Sequence, residues 1–287
     1  MGGAMGWGLG YGLGVAAIAP AGRWLLASAD WTIALQPLDL VWTLGLAAAA
    51  MGLSASQGLG LTRVWGVALG RSLLQLTAVG WLLSVIWLWP SPVAVAAVLM
   101  GLWGLALLSA HQQMGKRWPQ LLPWLGLALL GSGLISAAPV VLVALKPHMW
   151  FDPRAWVPIF ALVLAAASHG AAIAGEQMMQ LARSRRVEIE QRLCLGASLA
   201  QAIAPCRREA LRSALVPTLN NLTSVGLLSL PGLLSGALLG GLDPVMAASV
   251  QVVVLFASAL AVMFSAIVVA IGAERLCSDR PAQRLRV

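Results

Sequence analysis

The chain has 287 residues, 60% of them hydrophobic and only 10% charged, with a mean hydropathy of +0.86 and a formal net charge of +8. A soluble domain carries about 25% charged residues, so composition excludes a soluble globular protein. Several apolar runs approach or exceed the roughly 20 residues that cross a bilayer as a helix, and they are too continuously apolar for barrel strands, so the fold class is an all-α polytopic membrane protein.

In chain order, residues 1–35 come first. They open on "MGGAMGWGLGYGLG", a glycine-heavy stretch of low helix propensity. "ASA" at 27–29 resembles a signal-cleavage site, but no basic segment precedes it and Arg23 interrupts the apolar stretch. The segment reads as a poorly ordered extension or a weak additional span. A transmembrane domain follows over 36–275, with about seven expected spans near 38–56, 67–89, 92–110, 121–143, 155–175, 214–236 and 247–272. Pro90 and Pro92 force a tight connection between the second and third, and "GGLDPVM" makes another between the sixth and seventh. Residues 276–287 form a basic tail.

Orientation follows from the cations. Arg63, Lys116 and Arg117 follow the first and third spans, seven arginines between Arg183 and Arg212 follow the fifth, and Arg275, Arg280, Arg284 and Arg286 follow the last. The positive-inside rule places these loops and the C-terminus in the cytoplasm and the N-terminus outside; the expected location is the plasma (inner) membrane. The net charge is thus a topology signal, helped by attraction to anionic membrane lipid, and does not point to nucleic acid. Cys194, Cys206 and Cys277 fall on the reducing side, at spacings that fit no zinc pattern, and read as structural thiols.

The longest cytoplasmic connection, about 176–212, is helical in composition. Gly196 supplies the turn that ends one short helix, Ala197 follows, and Ser198 caps the next helix at "LAQAI". The physical pattern is a helix–turn–helix on the membrane surface, which an ordinary amphipathic loop would also produce.

"EQRLCLGAS", from Glu190 through Gly196, resembles the Glu-Ala-Ala…Gly coupling loop of ABC transporter permeases, with Gln191 and Arg192 in place of the two alanines. The longer run "RRVEIEQRLCLGASLAQAIAPCRREALRSALVPTLNNLTSVGLLSLPGLLSGALLGGLDPVMAASVQVVVLF" resembles the C-terminal half of the FetB-type iron-export permeases, a family that includes the plant aluminium-sensitivity half-transporters. "GRSLLQLTAVGWLL" and "FDPRAWVPIFALVLA" resemble that family's second and fifth spans. The resemblance implies a homodimeric permease that exports iron, another metal ion or a metal-related solute. It implies a cytoplasmic coupling helix and a separate cytoplasmic ABC ATPase as partner, with ATP and Mg bound on that partner and no cofactor on this chain. The chain has no G-x-x-x-x-G-K-[ST] phosphate loop, so it is not expected to be an enzyme. Arg185, Arg186, Glu188, Glu190 and Arg192, with Gly196, Ala197 and Ser198, are the expected ATPase-coupling residues. A secondary transporter or channel without an ATPase, and a membrane scaffold that transports nothing, are the alternatives.

Candidate pathway residues are polar groups inside apolar spans. Arg71 and Gln75 lie four apart in span two, on one helix face. A mid-membrane arginine costs about 2.5–3.5 kcal/mol on insertion scales, so it faces a cavity or a partner unless it snorkels. Asn220, Asn221 and Ser224 cluster early in span six, as cation ligands or as interhelix glue. Pro231 with Gly232 interrupts the helix and frees carbonyls. Gly232, Gly236 and Gly240 are spaced for close helix packing, as at a homodimer seam. Gln251 is a lone amide in span seven that matches a family glutamine, and His169 in span five is expected to hydrogen-bond a neighbour rather than hold metal. The family's Pro-Gly-Met-Met reads Pro231-Gly232-Leu233-Leu234 here, its Gly-Gln reads Gly236-Ala237, and its Gly-Asn in span five is absent. Two thioethers and an amide are therefore gone, which weakens soft-metal transport in particular; the metal ligands are unknown.

Overall fold

The computed structural model describes residues 37–58, 60, 62–88, 91–114, 119–147, 149–226, 229–279 and 284–285. The expected N-terminal extension with its "ASA" site, and Lys116, Arg117, Arg280 and Arg286, lie outside the described residues. Among the described residues nine α-helices run in order: α1 Pro37–Ser56, α2 Thr62–Leu88, α3 Pro92–Gln113, α4 Leu122–Pro139, α5 Pro153–Ser184, α6 Arg186–Cys194, α7 Leu199–Ser224, α8 Gly232–Leu239 and α9 Pro244–Cys277. After α9 two-residue strands, Ser278–Asp279 and Arg284–Leu285, pair antiparallel.

Local chemistry sets these boundaries. Ser91 Oγ accepts from the Ala94 N–H at 3.1 Å to cap α3, and Asp152 Oδ1 accepts from the Arg154 N–H at 2.9 Å to cap α5. Each cap is followed by proline, whose missing N–H costs nothing in the first turn. At Pro139 the fourth apolar run widens into a single π-helical stretch, Val140–Leu145. Lys146, at φ 44°, ends it by donating its N–H to the Val141 carbonyl at 3.1 Å.

Among the described residues five helical segments are long and apolar enough to cross a membrane: Thr62–Trp87, Pro92–Gln113, Pro119–Leu145, Pro153–Ser184 and Pro244–Cys277. The expected first span is α1, whose apolar stretch Leu44–Ser56 is shorter. The expected sixth span is corrected. Residues 214–236 are not one helix: α7 stops at Ser224 and α8 begins at Gly232. Pro231 cannot donate an N–H and disfavours helix at the residue before it, so a break there was expected. It opens earlier, where Gly226 takes φ +85° and donates its N–H to the Ser229 carbonyl at 3.0 Å.

The described chain forms two compact units. One holds α1, the start of α2 to Leu73 and Gly236–Pro244; the other holds Leu74–Ser235 and Val245 onward. The core of the second unit is built around α5, whose inward face is Val163, Leu164, Ala167, Gly170, Ala171, Ala174, Gly175 and Met178. Small residues there let neighbours approach closely, which in a bilayer replaces the hydrophobic drive as the source of packing. A Cβ added at Gly170 would sit 2.5 Å from Val262 Cγ1, and one at Gly175 2.8 Å from Met114 Cε. Two polar contacts secure the same unit. Ser265 Oγ donates to the Ala167 carbonyl at 3.0 Å, and Trp103 Nε1 donates to the Gly126 carbonyl at 3.1 Å.

Candidate functional site

Helix α5 has 32 residues and is about 48 Å long, well beyond the roughly 30 Å hydrocarbon core, so it carries the chain out of the membrane. At Arg185 the chain turns into α6, nine residues with Glu188 in the first turn and Arg192 in the last, as the helix dipole favours. Gly196 takes φ +88°, a conformation that costs other residues a clash with their own Cβ, and stops α6. Ser198 then starts α7 with a reciprocal capping box. Its Oγ accepts from the Gln201 N–H at 3.4 Å, and Gln201 Oε1 accepts from the Ser198 N–H at 2.9 Å. The turn at Gly196 and the cap at Ser198 thus stand where the sequence indicated, with Ala197 between them.

Helix α6 is held by one face. Ile189 is 1% exposed and belongs to the main core cluster with Ala202, Ile203 and Cys206, while Leu193 packs against its edge. Burying an isoleucine contributes about 1.5–3 kcal/mol, enough to fix so short a helix against its neighbours. The opposite face is apolar and open: Val187 is 68% exposed and Leu195 88%, and with Glu190, Gln191 and Cys194 they line a shallow hollow.

The charged side chains expected to meet a partner are already paired within the chain. Arg186 Nε donates to Glu190 Oε1 at 2.8 Å and Arg192 Nη2 to Glu188 Oε1 at 2.7 Å, and Arg185 Nη2 forms an ion pair with Glu209 Oε2 at 2.8 Å. These half-exposed pairs are worth at most about 1 kcal/mol each, so a partner could exchange them cheaply. The Arg185–Glu209 pair ties the α5–α6 elbow to α7, and Arg207 Nη1 reaches Glu274 Oε2 of α9 at 2.7 Å. The open Val187–Leu195 face was missed in the sequence because Ile, Leu and Val alternate around α6 with no single stripe to mark which side the bundle covers.

The polar residues of the spans fall into separate places. Arg71 and Gln75 are exposed, one turn apart on α2. Asn220 and Asn221 are exposed at the end of α7, beside the break; Thr223 Oγ1 donates to the Asn220 carbonyl at 2.9 Å and Ser224 Oγ to the Asn221 carbonyl at 3.3 Å. Pro231 is half-buried at the far side of the break. Gln251 is 7% exposed, and its Oε1 is buried without a hydrogen-bond partner among the described residues. His169 behaves as expected: its Nδ1 lies 2.8 Å from Gln113 Oε1, and Gln113 Nε2 donates to Ser109 Oγ at 3.1 Å. Among the described residues no three His, Cys, Asp or Glu side chains gather as a metal cage.

Within one chain the spaced glycines Gly232, Gly236 and Gly240 have open surroundings, as an unpartnered seam would. A Cβ at Gly232 or Gly236 would meet nothing within 4 Å, and one at Gly240 would meet only the Gly236 and Ala237 carbonyls. The closest helix contacts fall instead at Gly170 and Gly272. A four-residue spacing marks a smooth face, but only the neighbouring helix decides whether that face is used.

The family model for UPF0014, an uncharacterised protein family, matches residues 37–277, and the chain belongs to that family. It is 38% identical over 231 residues to a UPF0014 membrane protein of Synechocystis sp., covering 80% of this chain and 87% of that one. It is 28% identical over 220 residues to the "Probable iron export permease protein FetB" of Escherichia coli, covering 76% and 83%. With "Protein ALUMINUM SENSITIVE 3" of Arabidopsis thaliana it shares 30% identity over 209 residues, covering 72% and 74%. No solved structure matches the chain.

Proposed function

We propose that this UPF0014 member is the membrane-spanning permease half of an ABC transporter, working as a homodimer and driven by a separate cytoplasmic ATPase that binds ATP and Mg. The observation that carries the reading is α6, a short helix capped at its exit, seated on the core through Ile189 and open along Val187, Gln191, Cys194 and Leu195. A helix shaped to insert into a groove has this form. The chain itself has no phosphate-binding loop, so the energy enters through a partner, and the chain is a transport subunit rather than an enzyme.

The geometry gives the coupling a mechanical route. Helix α7 starts at the Ser198 cap beside α6 and runs to Ser224, about 39 Å, ending at the break before α8. A displacement of α6 pulls on Ile189 and on the Arg185–Glu209 pair and is passed to α7, which carries Pro205 and Pro217 in its interior as points where it can bend. At its far end stand Asn220, Asn221 and Ser224, polar groups that do not belong in lipid and that line the path. Nucleotide binding on the partner would thus bias two global states of the permease through one contact. The basic residues Arg183, Arg185, Arg186, Arg207, Arg208 and Arg212 put α6 in the cytoplasm, with the C-terminus on the same side and the N-terminus outside.

The cargo is iron, another metal ion or a metal-related solute, moved outward; the name of the Escherichia coli relative, an iron export permease, supports that class. The deciding experiment co-expresses the chain with the stand-alone ABC ATPase of its source and reconstitutes the pair in vesicles. Co-purification and ATP-dependent metal flux support the reading. Flux without ATP favours a secondary transporter instead, and a pair that associates but moves nothing favours a scaffold.

A further inference from the structure

Sulfur-bearing side chains from three helices, Met179 of α5, Cys206 of α7 and Cys277 of α9, are buried in one core of the second unit, and two of them touch. The thiol of Cys277, the last residue of α9, points at Met179 Sδ of α5 from 3.6 Å. Cys277 is fully buried and Met179 is 4% exposed. Cys206 of α7 is buried in the same core. The next residue along α7, Arg207, is paired at 2.7 Å with Glu274, three positions before Cys277, which holds α7 and α9 side by side at this level. Met114 and Met178 are buried in the same cluster.

We propose that Met179, Cys206 and Cys277 form a binding site for a soft monovalent cation of the Cu(I) or Ag(I) class. Thiolate and thioether sulfur are soft donors that select such ions over hard, oxygen-seeking cations. The spacing suits a shared ion: with metal–sulfur bonds of about 2.3 Å, two ligands at tetrahedral or trigonal angles stand roughly 3.8–4.0 Å apart. The Met179–Cys277 pair, at 3.6 Å, needs only a small adjustment to reach that span. Only the thiolate is a strong ligand, so the ion must displace a proton from each thiol that it binds. Each thiol that binds releases its proton to water and keeps its electron pair in the metal–sulfur bond; Met179 lends a lone pair and no proton, and no oxidation state changes. The site would clamp α5, α7 and α9 together beside α6. It does not depend on the transporter reading, nor on iron as cargo.

The test uses the full-length protein in detergent with Cys194→Ser as background, because Cys194 is the exposed thiol. Titration with silver nitrate in chloride-free buffer is followed by bound silver, released protons and thiolate-to-silver absorbance. About one ion bound and about two protons released per chain are expected. Met179→Leu, which conserves side-chain volume, should weaken binding more than about tenfold, and Cys277→Ser should abolish one of the released protons. Silver held as tightly by Met179→Leu as by the background protein, or no silver held by the background protein, overturns the site. Should Cys277→Ser fail to fold, Met179→Leu decides alone, with an unchanged gel-filtration profile as its control.

Discussion

Gly272 and Trp124 meet so closely that a Cβ on Gly272 would lie 2.4 Å from Trp124 Cγ. One turn further along α9, the Arg275 guanidinium stands 4.9 Å from the centre of the same indole ring. The absence of a side chain at Gly272 therefore lets α9 seat on α4, and the cation over the ring face adds to the contact.

Gly272→Val should be among the most damaging single substitutions. Overpacking typically costs about 1–3 kcal/mol, and here the obstacle is the fixed root of an indole rather than a flexible tip. Gly232→Val meets open space in the chain and should leave the stability of the monomer unchanged. Thermal unfolding in detergent compares them; equal melting temperatures for the two variants would contradict the packing described here. A homodimer that fails only in Gly232→Val would place α8 at the seam.

Helix α6 can be challenged without touching the core. Leu195→Glu puts a charge on the most exposed apolar residue of that face, and it should reduce ATPase co-purification by tenfold or more, about 1.4 kcal/mol, with normal membrane insertion. Gly196→Pro demands a φ near −65° where the backbone holds +88°, so it should misdirect α6 and abolish association. Glu190→Lys breaks the pair with Arg186 and should do the same if the charge is exchanged onto the partner. Pull-down yields unchanged in all three variants would remove α6 from the interface.

Gln251 is a buried amide whose Oε1 lacks a partner among the described residues. An unsatisfied buried polar atom costs about 1–3 kcal/mol, so Gln251→Leu should raise the melting temperature of the isolated chain. A lower melting temperature in the assembled transporter would mean that the amide finds its partner there, and metal flux measured on the same variant separates a path residue from a structural one.

The three thiols should differ in reach. Cys194 is exposed, while Cys206 and Cys277 are buried. A maleimide probe on the folded protein should label Cys194 alone, and mass spectrometry should find the other two modified only after denaturation. Rapid labelling of Cys277 in the native state would show that the cluster around Met179 opens freely.

What the sequence determined by itself is local. Hydropathy summed over a window reports whether a segment prefers lipid, so membrane class, helical fold and most span positions follow from composition. The turn at Gly196 and the cap at Ser198 were legible because a positive φ and a first-turn hydrogen bond depend on one to four neighbouring residues. The break before α8 was only half legible: Pro231 announces it, but its beginning at Val225 depends on a backbone bond between Gly226 and Ser229 that no propensity specifies. Tertiary structure alone decided which surfaces meet. It joined Cys277 to Met179 across 98 residues and His169 to Gln113 across 56, paired the arginines of α6 within the chain, and gave tight contacts to Gly170 and Gly272. Inside a bilayer every helix face is apolar, so hydropathy cannot rank one face above another. Shape complementarity ranks them instead, and shape belongs to pairs of helices, not to either sequence segment alone.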